Sequence, residues 1–165
     1  MPRMSNLVIA ADDPRAPDVV ALLQRHLQFA HETTPAEFVF ALDVDGLAQP
    51  AVTFCSARRD GELLAVGALK ELDARHGELK SMHTASTARG RGIGAAVIAH
   101  LVDLARARGY ARVSLETGSQ DAFAPARALY ERAGFVVCGP FADYPDSANS
   151  VFMTRRLGEA RSEDL

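Results

Sequence analysis

Glu78-Leu79-Lys80-Ser81-Met82-His83-Thr84 runs, four residues later, into Arg89-Gly90-Arg91-Gly92-Ile93-Gly94. The first stretch reads as a strand. The second opens a long segment in which Ile93, Val97, Leu101, Leu104 and Ala105 recur at helical spacing and make one apolar face. Gly90, Gly92 and Gly94 let the chain approach a ligand without side-chain clashes, and the unbonded amides of a helix's first turn, with its dipole, favour phosphate oxygens. Arg89 and Arg91 add positive charge beside them. A strand, a phosphate-cradling loop and a helix are therefore expected here.

Reading outward, the helix runs from about Gly92 to Arg108 with Gly109 as its C-cap, and Arg112 to Glu116 is the next strand. This strand-helix-strand unit demands parallel pairing, and Glu78 should lie beside Glu116 in the sheet. A helix from Pro125 to Ala133, closed by Gly134, then leads to strands at Phe135–Cys138 and Val151–Arg156. The Pro140–Ser150 connection is long for a hairpin and is expected to meet substrate. Upstream, Asp60-Gly61 supplies a tight turn between strands at Val52–Arg58 and Glu62–Glu71. Before them come a strand at Leu7–Ala11, a helix from Pro17 to His31, a short helix from Thr34 to about Leu42 signalled by a capping box, and a loop at Asp43–Gly46. The fold class expected is α/β, with a mixed, mostly antiparallel sheet flanked by helices.

The chain has 165 residues, 48% of them hydrophobic and 24% charged, with a formal net charge of -3. That size fits one domain over residues 1–165 with a polar tail from about 158, and the mild acidity argues against nucleic acid as a partner. Cys55 and Cys138 are too few and too far apart for a disulfide framework or a paired-cysteine metal site, so no metal and a reducing cytoplasm are expected. No apolar run reaches the roughly 18 residues of a membrane span, so no membrane partner is expected.

Arg89-x-x-Gly92-x-Gly94, followed after one strand by Ala126-x-x-Leu129-Tyr130-x-x-x-Gly134-Phe135, resembles the GNAT superfamily of acyl-CoA-dependent N-acetyltransferases. The order of elements is similar from Leu7 to Leu157, with the specific motifs confined to about Glu78–Phe135. The resemblance implies a central strand pair that splays apart, with acetyl-CoA as co-substrate in the gap. By position, Met82, His83 and Thr84 then offer backbone groups to the pantetheine arm, and Arg89, Gly90, Arg91, Gly92, Ile93 and Gly94 hold the pyrophosphate. Many relatives carry Asn where this chain has Phe123, a departure at a coenzyme-contacting position. Gly77–Met82, Leu115–Gly118 and Gly139–Tyr144 further resemble small bacterial members of undefined substrate.

Acetyl transfer to an amine needs a base, a polarised carbonyl and a proton for the leaving thiolate. A primary amine, with a reference pKa near 10, is mostly protonated at neutral pH. Glu78 ranks first as the base and Glu116 second; pairing with Lys80 or Arg112 is the structural alternative for either. Tyr130, by the resemblance, is the acid that protonates the coenzyme sulfur. The carbonyl falls to a backbone N–H near Met82 or His83. Acceptor specificity is expected from Phe29–Thr34, the short helix after it and Phe141–Asn149, which carry Glu32, Asp143, Tyr144 and Asp146. The expected partner is a small-molecule amine, met by a monomer or homodimer. Two rival readings are a coenzyme-binding sensor without catalysis and a dinucleotide oxidoreductase, the latter from Gly90-x-Gly92-x-x-Ala95 with Glu116 downstream.

Overall fold

The computed structural model describes residues 6–33 and 44–158 and, within them, the side chains of all but 26–33. Among the described residues seven strands are present: β1 (Leu7–Ala11), β2 (Val52–Arg59), β3 (Glu62–Asp73), β4 (His76–Thr84), β5 (Arg112–Gly118), β6 (Val136–Cys138) and β7 (Ser150–Arg156). The helices are α1 (Pro17–Thr33), α2 (Val44–Leu47), α3 (Ile93–Ala107) and α4 (Ala124–Arg132). The strands form one sheet in the order β1-β2-β3-β4-β5-β7-β6. Only β4 and β5 run parallel, as the α3 crossover requires, and every other neighbouring pair is antiparallel. The expected mixed α/β architecture is therefore the observed one.

The β2–β3 hairpin turns on Asp60 and Gly61, whose φ angles of 52° and 85° are the left-handed pair that a two-residue connection needs. Strand alternation then sorts β3 between two cores. Ala65 and Leu69 join Leu79, Ile93, Val97, Leu101, Leu115, Tyr130 and Met153 beneath α3 and α4, while Val66 and Ala68 pack with Val19, Leu22, Leu47 and Phe54 beneath α1 and α2. Among the described residues no helix is long and apolar enough to cross a membrane.

Two expectations change. Residues 44–47 form a helical turn rather than a loop, because Leu47, 1% exposed, is drawn into the second core and its burial outweighs the weak helix preference of Gly46. Glu78 lies opposite Ser114, not Glu116: the parallel register begins at His76 with Arg112 and reaches only Glu78 with Ser114. The helix expected over residues 34–42 lies outside the described residues.

Candidate active site

The central gap originates in β4. Ala68 of β3 pairs with Lys80 and Val66 with His83, so Gly67 alone stands against Ser81 and Met82: one extra residue on β4, a β-bulge. Ser81 takes a left-handed φ of 57° to accommodate it. A bulge bends its strand, and beyond Glu78 no residue of β4 pairs with β5 among those described. Between the diverging strands lies a cavity of about 720 Å³.

The cavity is lined from both faces of the sheet. Leu79 and Leu115 belong to the core under α3 and α4, where Leu129 and Tyr130 of α4 also line the opening. Glu78, Lys80 and Glu116 alternate with those leucines and so project from the opposite face. There Phe152, the register partner of Glu116, packs against Phe141 and Tyr144 of the loop between β6 and β7. The gap thus joins a helix-covered side to a loop-covered side.

At the mouth on the helix side, Gly92 caps α3 with a φ of 80° and no side-chain hydrogen bond occupies the cap. The first-turn amides that follow have no intrahelical acceptor, the first such bond being from the Ala96 N–H to the Gly92 carbonyl at 3.1 Å. Arg89, Gly90, Gly92, Ile93 and Gly94 line the cavity, as do Met82, His83 and Thr84 on the free side of β4. Arg91 is exposed and stands outside the lining, and the Arg89 guanidinium donates to the Thr84 carbonyl at 3.2 Å. Phe123 also lines the cavity, lying so close over Gly118 that a Cβ there would come within 2.3 Å of its ring. The amide of Gln120, nearby in sequence, instead donates to Asn149 at 3.1 Å.

The loop-covered side holds the two carboxylates and Lys80, while Tyr130 lies on the helix-covered side. Burial pushes the Glu116 carboxyl up to about 7, against the opposing pull of its 2.8 Å hydrogen bond from Ser150 and of the Lys80 charge. Glu78 and Lys80, with side chains 3% and 8% exposed, form an ion pair at 3.1 Å. The Tyr144 phenol donates to the same Glu78 oxygen at 2.5 Å and accepts from Lys80 at 2.8 Å. Burial, and secondarily the Glu116 charge, raise the Tyr130 phenol, so it stays protonated at neutral pH.

The cavity therefore gathers Tyr130, Glu78, Glu116 and the glycine loop, which are far apart in sequence. Of the residues expected to set acceptor specificity, Tyr144 lines it while Asp143 and Asp146 are exposed; the Glu32 side chain lies outside the described residues. The alternative of Glu78 pairing with Lys80 is the arrangement observed, while the Tyr144 contact to both and the Ser150 contact to Glu116 were not read from the sequence. The spacing of Glu78 and Lys80, two residues apart on one strand, is the signal that they share a face.

Residues 17–135 match the family model for the Acetyltransferase (GNAT) family. The uncharacterized N-acetyltransferase YsnE of Bacillus subtilis is 48% identical over 149 residues, which cover 90% of this chain and 99% of YsnE. The uncharacterized N-acetyltransferase YedL of Escherichia coli is 42% identical over 151 residues, covering 92% of this chain and 95% of YedL. A solved structure from Klebsiella pneumoniae, described as an acyl-CoA N-acyltransferase, superposes with a TM-score of 0.79 at 27% identity, covering 92% of this chain and 98% of its own.

Proposed function

Since the chain belongs to the GNAT family and is an acetyl-CoA-dependent acetyltransferase, we propose that it transfers the acetyl group directly to a small-molecule primary amine. The observation that carries this is the single cavity running through the sheet from the α3 amides to Tyr130 and Glu116. In this reading the amides of Gly92 to Gly94 hold the pyrophosphate with Arg89 beside them, and Arg91 contributes charge from the surface. The pantetheine arm lies along the free side of β4 at Met82, His83 and Thr84, and Phe123 gives it an apolar wall.

The thioester then sits in the gap with an amine approaching from the loop side. The amine enters neutral, its ammonium proton lost to solvent, and Glu116 takes the proton that the attacking nitrogen gives up as the amide forms; Glu78, already engaged by Lys80 and Tyr144, is the second candidate base. The amine lone pair adds to the thioester carbon while a backbone N–H near Met82 or His83 stabilises the oxyanion. The C–S bond breaks and the Tyr130 hydroxyl protonates the departing thiolate. The experiment is release of free coenzyme thiol on an amine panel: release dependent on both acetyl-CoA and amine supports the proposal. Release without any amine, or from none of them, refutes it.

Neither rival is favoured. A dinucleotide oxidoreductase places its glycine loop after the first strand of a parallel series, whereas here it follows the fourth strand of a mostly antiparallel sheet. A binding-only module has no need for Glu116 poised near 7 beside a protonated phenol.

A further inference from the structure

Lys80 is placed where an ammonium is costly. Its side chain is 8% exposed, and an ion pair this deep is often no more stabilising than apolar residues of the same volume. A use for the charge would explain its position. An ammonium has three donors, and among the described residues Lys80 makes two hydrogen bonds, to Glu78 and to the Tyr144 oxygen. Its remaining donor is available to the cavity that Lys80 lines. Tyr144, bonded to both members of the pair, fixes where the ammonium sits.

Across the gap is Glu116, held by Ser150 and under the influence of the Lys80 charge. The loop-covered side therefore offers two carboxylates and one cation: Lys80, already paired with Glu78, and Glu116 standing apart from that pair. A simple amine would satisfy Glu116 but bring nothing to the third Lys80 donor, and a simple acid would reach Lys80 but meet the Glu116 and Glu78 carboxylates without a cation to offer them. A molecule carrying both poles answers both. Resting on the acetyl-transfer reading of this cavity, we propose that the acceptor is a small amino acid, its carboxylate held by Lys80 and its amine presented to Glu116.

The test compares amino acids with their decarboxylated amines and their methyl esters, matched in side chain, by thiol release from acetyl-CoA. The wild type should prefer the free acid by about tenfold or more in kcat/KM, the range expected of one charge-assisted hydrogen bond. Lys80→Met should bring the ratio towards one, chiefly through a higher KM for the acid, and Lys80→Arg should restore part of it. Equal or better use of the amine or ester by the wild type overturns the proposal without touching the reaction. An equal loss for acid and amine in a folded Lys80→Met protein also overturns it, by making Lys80 structural. Calorimetry on the coenzyme-A-saturated protein reads the preference without turnover. Binding of the acid over the ester there, with no thiol release from any amine, supports this recognition while refuting the reaction; no preference there overturns the recognition alone.

Discussion

Tyr130 and Glu116 line one cavity and lie close enough for the Glu116 charge to help raise the Tyr130 phenol. A phenol so raised is a donor across the neutral range, which a leaving thiolate needs. Tyr130→Phe keeps the ring that packs edge-on to Phe135 and removes only the hydroxyl with its proton, so turnover should fall by about a hundredfold or more with coenzyme affinity nearly unchanged. Single-turnover kinetics beside a coenzyme titration reads both, and undiminished turnover takes Tyr130 out of the mechanism. Glu116 predicts the pH profile. Its carboxyl is raised to about 7, so the protonated, inactive form dominates below that pH and kcat/KM should climb as pH rises through it. Glu116→Gln should lower the rate and flatten that limb; a limb that survives with the same midpoint moves the base to Glu78. The place of Tyr130 beside the gap was legible in the sequence because it belongs to a motif. The setting of the carboxylates was not, because it depends on Tyr144 reaching Glu78, a contact between positions 66 residues apart.

At the scale of elements, the site is made by two departures from regularity, the β4 bulge and the left-handed cap of α3. The cap was readable, since Gly90 and Gly92 mark a backbone free to take the left-handed φ angles of 81° and 80° found there. The bulge was not, because Ser81 carries no such mark and its φ of 57° is imposed by pairing with β3. The short turn at Val44–Leu47 was missed for a related reason: tertiary burial of Leu47 overrode local preference. Gly92→Val tests the cap. A β-branched residue at a φ of 80° costs on the order of 1–3 kcal/mol and puts methyl groups where phosphate oxygens are proposed to sit. Coenzyme affinity should drop at least tenfold by calorimetry, while circular dichroism shows the fold retained. Unchanged affinity in the folded variant moves the pyrophosphate away from α3.

On the scale of the whole molecule, the sheet is two antiparallel halves, β1 to β4 and β5 to β7, joined by three register pairs at one end and by the shared core under α3. The order of elements was legible from periodicity and turn residues, but the length of that junction was not: alternation fixes which face a residue takes and leaves open where two strands stop pairing. A coenzyme seated in the gap would contact both halves and restore contacts that the divergence leaves out. A ligand that binds only the folded state stabilises it by RT ln(1 + [L]/Kd), about 2.7 kcal/mol at a hundredfold excess over Kd. At roughly 2–4 °C per kcal/mol for a chain of this size, acetyl-CoA at that excess should raise Tm by about 5–10 °C. NAD at the same concentration should leave Tm where it was. Amide exchange locates the effect: protection should grow at residues 82–84 and 92–95, along the gap and the cap, and stay level in the edge strands β1 and β6. A Tm rise accompanied by protection only at the edges would put the coenzyme outside the gap, and with it the proposed meeting of thioester, Tyr130 and Glu116.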